Sequence, residues 1–303
     1  MSMMKTRQKR GRLLAQLNGG TDIQILGFVC WWNIREIEIS QERFKEILAA
    51  CEFKESYARE HNYRSAFLRA LKQMEEKRII RLVKEDSKYL IYQFTAEDLV
   101  DDETGFEYSS ETVITIDKDK YRETKSIDLA IIKGDDSIKD KIIKLYYDEK
   151  SKFKSADVSR VLHRIFTDEA DIVSLRDQGS VYFIPGGYKT VLDRAVKYVK
   201  LLGGNCKLDS LPIPDAPESR DTVRDAVTDE FDSFMNHLRN EIDLIQDGKD
   251  VTERWFNTKR KKMAEVKERF ELYSELLGEG KSGLEAQFAE LEKQLFVGRE
   301  LDI

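Results

Sequence analysis

Cysteine, proline and histidine are scarce in this chain: three, four and three among 303 residues. Cys30, Cys51 and Cys206 lie far apart and form no Cys-x-x-Cys pair, which excludes a disulfide framework and a zinc knuckle. They read as buried thiols in a reducing, cytoplasmic compartment. His61, His163 and His237 are more than 70 residues apart, so no two stand at metal-ligand spacing. No run of 18 apolar residues exists, and the basic N-terminus is not followed by a signal-type apolar stretch within the first 20 residues. No membrane attachment is expected. Gly-x-Ser-x-Gly and a strand-following Gly-x-Gly-x-x-Gly are also missing. No cofactor, metal or catalytic residue is expected.

Two local strings invite a chemical reading and fail it. Gly278-Glu279-Gly280-Lys281-Ser282 ends like a phosphate loop, but Glu275 stands where that motif needs glycine, and a heptad helix precedes it instead of a strand. It reads as a helix breaker. Asp117-Lys118-Asp119-Lys120 is the nearest approach to a nuclease acid cluster, yet alternating charge after a strand reads more simply as a solvated turn.

The chain is 41% hydrophobic and 36% charged, with a net charge of −6. The charge is uneven. Residues 1–100 carry 18 Lys and Arg against 14 Asp and Glu, and residues 151–203 carry 9 against 6. Residues 101–150 carry 9 against 14, and residues 219–303 carry 14 against 20. The two positive regions have the sign needed to neutralise phosphates, although the excess is small.

Those regions share a segment. Ile79–Ile91 aligns without a gap on Ile172–Ile184, with five identical pairs in 13: Ile79/Ile172, Leu82/Leu175, Ser87/Ser180, Tyr89/Tyr182 and Ile91/Ile184. Each copy reads as two short strands around a polar turn, Asp177-Gln178-Gly179 in the second. Each follows an amphipathic helix, about Arg64–Lys77 with Phe67, Ala70, Leu71 and Met74 inward, and Ala156–Phe166 with Val158, Val161, Leu162 and Ile165 inward. Helix then hairpin is the order of a winged helix-turn-helix. In the first unit, the apolar run Ile23–Trp32 is read as a buried opening helix, and Ser40 as the N-cap of the next. Thr112–Ile116 and Ile127–Ile132 are strand-like and are expected to join the two units. Ile138–Tyr147 and Tyr188–Leu202 read as helices, and residues 97–110 as an acidic loop.

All four prolines fall between 185 and 217, and Gly203-Gly204 opens the stretch that holds three of them, so a linker or extended arm is placed at 204–220. Beyond it, Phe231, Met235, Leu238, Ile242 and Ile245 alternate by four and three. Met263, Val266, Phe270, Tyr273 and Leu277 repeat the rhythm, and Leu284, Phe288, Leu291 and Leu295 make a third stripe. Runs this short favour a helical hairpin or three-helix bundle, closed within the chain or between chains. The expected class is therefore α+β: a basic arm at 1–19, winged-helix-like units at 20–100 and 101–203 joined by a small β segment, and an all-α tail at 221–303 that supports a homo-oligomer.

The string Gly179-Ser180-Val181-Tyr182-Phe183-Ile184-Pro185 is the most distinctive in the chain. With Trp31-Trp32, Ala66-Phe67-x-x-Ala70 and Leu175-Arg176, it resembles the signature of an uncharacterised family of bacterial and phage proteins of about this length. The likeness covers residues 20–215. It implies a phage or mobile-element setting and no activity.

The expected function is non-catalytic binding of duplex DNA. Arg64, Arg69 and Lys72 form one recognition face and Lys154, Arg160 and Arg164 the other, with Lys84, Lys88 and Arg176 as wing contacts. The alternative is a scaffold or inhibitor that binds a host protein complex without touching DNA.

Overall fold

The computed structural model describes residues 24–74, 78–99, 106–176, 180–246 and 252–278, together with Glu290 and Lys293. In chain order its front half holds β1 (Ile25–Asn33), β2 (Glu38–Ser40), α1 (Gln41–Ala50), α2 (Tyr63–Lys72), β3 (Arg78–Glu85), β4 (Tyr89–Leu99), β5 (Phe106–Asp117), α3 (Lys118–Thr124) and β6 (Leu129–Lys133). There follow α4 (Lys139–Ser151), β7 (Lys152–Lys154), α5 (Ser155–Ala170), β8 (Val173–Ser174), β9 (Val181–Pro185), α6 (Lys189–Leu202), β10 (Lys207–Pro214), α7 (Pro217–Gln246) and α8 (Glu253–Leu277). The mixed α+β class holds. Contacts group the chain into two units, an inserted one at 36–161 and an outer one built from residues before 36 and after 161. The expected boundary near residue 100 lies inside the insert.

The insert is built on a four-stranded antiparallel sheet, β3-β4-β5-β6. Alternation along β4 and β5 turns Leu90, Tyr92, Phe94, Ile114 and Ile116 to one face, where α2 and α4 cover them. Asn62 caps α2 by accepting from the Ser65 amide at 2.8 Å, and the helix supplies Ala66, Phe67, Ala70 and Leu71 to the same core. A smaller core under α1 joins Phe44 to Phe153 of β7, with ring centroids 4.8 Å apart. Ser40 caps α1, as expected, by accepting from the Arg43 amide.

The outer unit holds a second antiparallel sheet in the order β10-β1-β9-β8. Val29 and Phe183 share a face in register, and Phe183 joins Val173, Val223, Val227, Tyr273 and Leu277 in a core under α7 and α8. On the opposite face, Trp32 stacks on Tyr182 with centroids 4.7 Å apart and packs against Phe166 of α5. Gly27 is required because a Cβ there would lie 2.3 Å from the Ile184 carbonyl oxygen and 2.4 Å from Phe183 Cζ. α7 and α8 pair through Phe231, Met235, Leu238 and Ile242 against Phe256, Met263 and Val266, so these two stripes close within one chain. Gly278, at φ 73°, ends α8 in the left-handed conformation, as the helix-breaker reading requires. The third stripe, Leu284–Leu295, and the basic arm lie outside the described residues.

Four expectations need correction. Ile23–Trp32 is not a helix: residues 25–33 are the strand β1, paired on both edges and packed on both faces, which removes the alternation that marks a half-buried strand. The proline-rich stretch is mostly not a linker but the edge strand β10. Pro212 and Pro214 fit there because an edge strand has spare N–H positions. Residues 97–99 and 106–110 are not loop but extend β4 and β5. Thr112–Ile116 and residues 129–132 do not join two units: they lie in the same sheet as the first hairpin.

Both helix–hairpin pairs exist, α2 before β3–β4 and α5 before β8–β9. Their registers differ. Ile80 faces Phe94, whereas Val173, its counterpart in the alignment, faces Phe183, the counterpart of Leu90. The hairpins are therefore not equivalent.

Candidate nucleic-acid interface

Three of the nine expected phosphate contacts converge on each other. Arg69 Nη1 and Nη2 donate to the two carboxylate oxygens of Asp157 at 2.8 and 2.7 Å. Asp157, 3% exposed, also accepts from Arg160 Nη2 and from the Lys154 amide, each at 3.0 Å. His61 Nε2 lies 3.5 Å from it and 2.9 Å from the Lys152 carbonyl oxygen. Burial alone would raise the Asp157 pKa, but Arg69, the Lys154 amide and His61 outweigh it and hold the carboxyl below its ordinary value. The bond to Asp157 likewise raises the Arg69 pKa. Beside this centre, Lys154 Nζ donates to Oε1 of Glu149 at 2.7 Å, and Gln73 donates to the same oxygen. Glu149 is 1% exposed and its Oε2 has no hydrogen-bond partner among the described residues. A guanidinium held by both of its forks on a buried carboxylate has little left to offer a phosphate. Arg69 and Lys154 thus serve an internal network that ties α2, α4, β7 and α5 together, while Arg160 lends it one bond and keeps its side chain 71% exposed.

Asp157 was missed from the sequence. Its signal was there: Asp157, Val158, Val161, Leu162 and Ile165 share one helical stripe, so this acid lies on the inward side.

The remaining contacts of the insert are split between two surfaces. Arg64 Nη1 lies 2.9 Å from Glu85, on the side of the sheet that carries α2. Alternation turns the preceding Lys84 to the other side, where it pairs with Asp86 at 3.0 Å. The amides of Tyr89 and Lys88, with Lys84, push the Asp86 pKa down to about 2. Lys88 Nζ sits 5.1 Å from the Tyr89 ring centroid. Lys72 is exposed and makes no ion pair among the described residues.

In the outer unit, Arg164 is exposed on α5, again with no ion pair among the described residues. His163 turns edge-on to Trp32 and Tyr182, and partial desolvation there lowers its pKa. Arg176, exposed at the end of β8, borders a groove of about 390 Å³ lined also by Ser174, Asp225, Asp229 and Glu230. Its neighbourhood is acidic.

The rejected nuclease string is fully occupied. Asp117 accepts from the amides of Asp119 and Lys120 as the N-cap of α3, Lys118 reaches Glu85 and the Asp86 carbonyl, and Lys120 pairs with Asp128 at 2.6 Å. Among the described residues, no group of three His, Cys, Asp or Glu side chains could hold a metal ion, and no helix is long and apolar enough to cross a membrane.

The model of a family of unknown function, DUF6744, matches residues 25–301, and the chain belongs to that family. Neither the curated proteins nor the solved structures contain a match to it.

Proposed function

We propose that this family member is a non-catalytic nucleic-acid-binding protein of a phage or mobile element, and that it contacts duplex DNA through α5 and the hairpin that follows. The observation that carries this reading is the order β1-β9-β8 with α5 immediately before the hairpin. A strand from ahead of the helix pairs with the far strand of the hairpin, as in a winged helix. α5 then takes the recognition position, with Arg164 solvent-facing and Arg160 71% exposed despite its bond to Asp157. The analogy is one of fold, and the chemistry rests on the cations.

The set of phosphate contacts shrinks to Arg160, Arg164 and Arg176. About three contacts give a slope of log affinity against log salt of about −3. Duplex binding measured across a salt series tests this. Arg164→Glu should weaken binding and flatten the slope by about one. Lys84→Glu, on the other unit, should leave both unchanged. No binding at low salt, or equal effects of the two substitutions, refutes the reading.

One observation favours the alternative of a protein partner. Asp225, Asp229 and Glu230 stand beside Arg176 and repel phosphate, while they suit a basic protein segment. Retention of a native protein partner by the intact chain, together with no duplex binding at any salt, would decide for it.

A further inference from the structure

The groove beside β8 follows one stripe of α7. Thr222, Asp225, Ala226, Asp229 and Ser233 line it at helical spacing, opposite Leu175. Leu175 and Ala226 are half-buried and give the groove an apolar strip. Asp225 and Asp229 are exposed beside that strip and make no ion pair among the described residues. Glu230 is taken by Arg269. Arg176 is the one cation among the described lining residues. The acidity continues along the helix: residues 217–233 carry six acids against two cations, and both cations are already paired, Arg220 with Asp215 and Arg224 with Asp221.

The chain itself holds a complementary segment. Residues 1–12 carry Lys5, Arg7, Lys9, Arg10 and Arg12 and no acid, and Leu13, Leu14 and Leu17 follow. The place where this segment joins the described chain is fixed. The Asp215 amide donates to the Gln24 carbonyl oxygen at 2.8 Å, two residues before α7 begins at Pro217. Asp225 and Asp229 stand about 12 and 18 Å further along the helix axis, at a rise of about 1.5 Å per residue. The twelve residues from Arg12 to Gln24 can span up to about 40 Å. The tether is therefore long enough, and it starts at the correct end of the helix.

We propose that the chain's own basic arm docks in this groove, with its cations on Asp225 and Asp229 and a leucine on the strip of Leu175 and Ala226. The arm is then an internal competitor: a basic segment of another protein enters the groove only by displacing it. The inference is independent of DNA binding through α5.

The test uses the full chain with labelled leucine and alanine methyl groups and a nitroxide on Gln8→Cys. A Cys206→Ser background leaves only the buried Cys30 and Cys51 as other thiols. The Leu175 and Ala226 signals should broaden, and added salt should relieve the broadening. Asp225→Lys with Asp229→Lys should abolish it, and both positions are exposed, so the variant should fold. A synthetic peptide of residues 1–19 should bind the wild type about tenfold more weakly than a full chain whose five arm cations are replaced by glutamine, because a tethered competitor acts at an effective concentration on the order of mM. No broadening, broadening unmoved by salt or by the charge reversal, or equal affinities for the peptide would overturn the proposal. So would broadening seen only when a spin-labelled copy is mixed with a methyl-labelled one, which would put the arm on a second molecule.

Discussion

Removing Arg69 while keeping its size tests whether the Asp157 network is structural. Arg69→Met leaves a carboxylate that is 3% exposed without its bidentate partner. The exposed Arg160 and the more distant His61 would remain. Breaking a buried pair from one side costs about 3–5 kcal/mol. With a urea dependence of about 2 kcal/mol per molar, the midpoint should fall by about 2 M. All three tryptophans, Trp31, Trp32 and Trp255, lie outside the insert, so fluorescence does not read this unit. Amide exchange along α2 in urea does. Removing both charges, as Arg69→Met with Asp157→Leu, should recover most of the loss, since replacing a whole buried pair by apolar groups is close to neutral. The Asp157 pKa is lowered by folding, so its contribution is present above the unfolded value of about 3.9. That contribution disappears as pH falls through the folded value, and the gap between wild type and Arg69→Met should narrow below pH ~4. A single-variant cost under about 1 kcal/mol, typical of a surface pair, would refute the reasoning. So would a double variant no better than the single one.

Three further outcomes are expected. Gly27→Ala should cost about 3 kcal/mol or prevent folding of the outer unit, because its Cβ meets backbone and a packed ring; thermal melting checks it. With a thiol reagent near pH 8, the half-buried Cys206 should react first. The buried Cys51 and Cys30, the latter with its pKa pushed up to about 12 by burial, should wait for unfolding. Thr252→Ala should cost about 1 kcal/mol by removing the cap that accepts from the Trp255 amide, read by tryptophan fluorescence in urea.

Much of the secondary structure was legible because single faces are buried. Phe67, Ala70 and Leu71, or Val158, Val161 and Leu162, alternate with polar residues at helical spacing. The strands around Tyr89 and Thr112 carry the period of two. β1 was not legible, since an apolar run packed on both faces has no period to read. Its true partners, β9 and β10, lie across the whole insert. The repeat was visible as residues but not as register: identical side chains at Tyr89 and Tyr182 serve sheets with different neighbours. The cations were visible too, yet their fate was not. Arg69 and Asp157 are far apart in sequence, and only folding brings guanidinium and carboxylate together. A count of positive charges therefore overstates what remains for a phosphate.

The placement of β1 also bears on synthesis. Ile25 pairs with Pro214, so the opening strand leaves the ribosome long before its partners exist. The insert between them is complete by Val161 and can fold while β1 waits with an apolar surface unsatisfied. Its folding pairs Glu38 with Lys154 and Ile37 with Ser155, so closure of the outer sheet no longer bears the entropy of the full intervening chain. Variants that weaken the insert, Arg69→Met among them, should for that reason lower the yield of soluble protein by more than their equilibrium cost suggests.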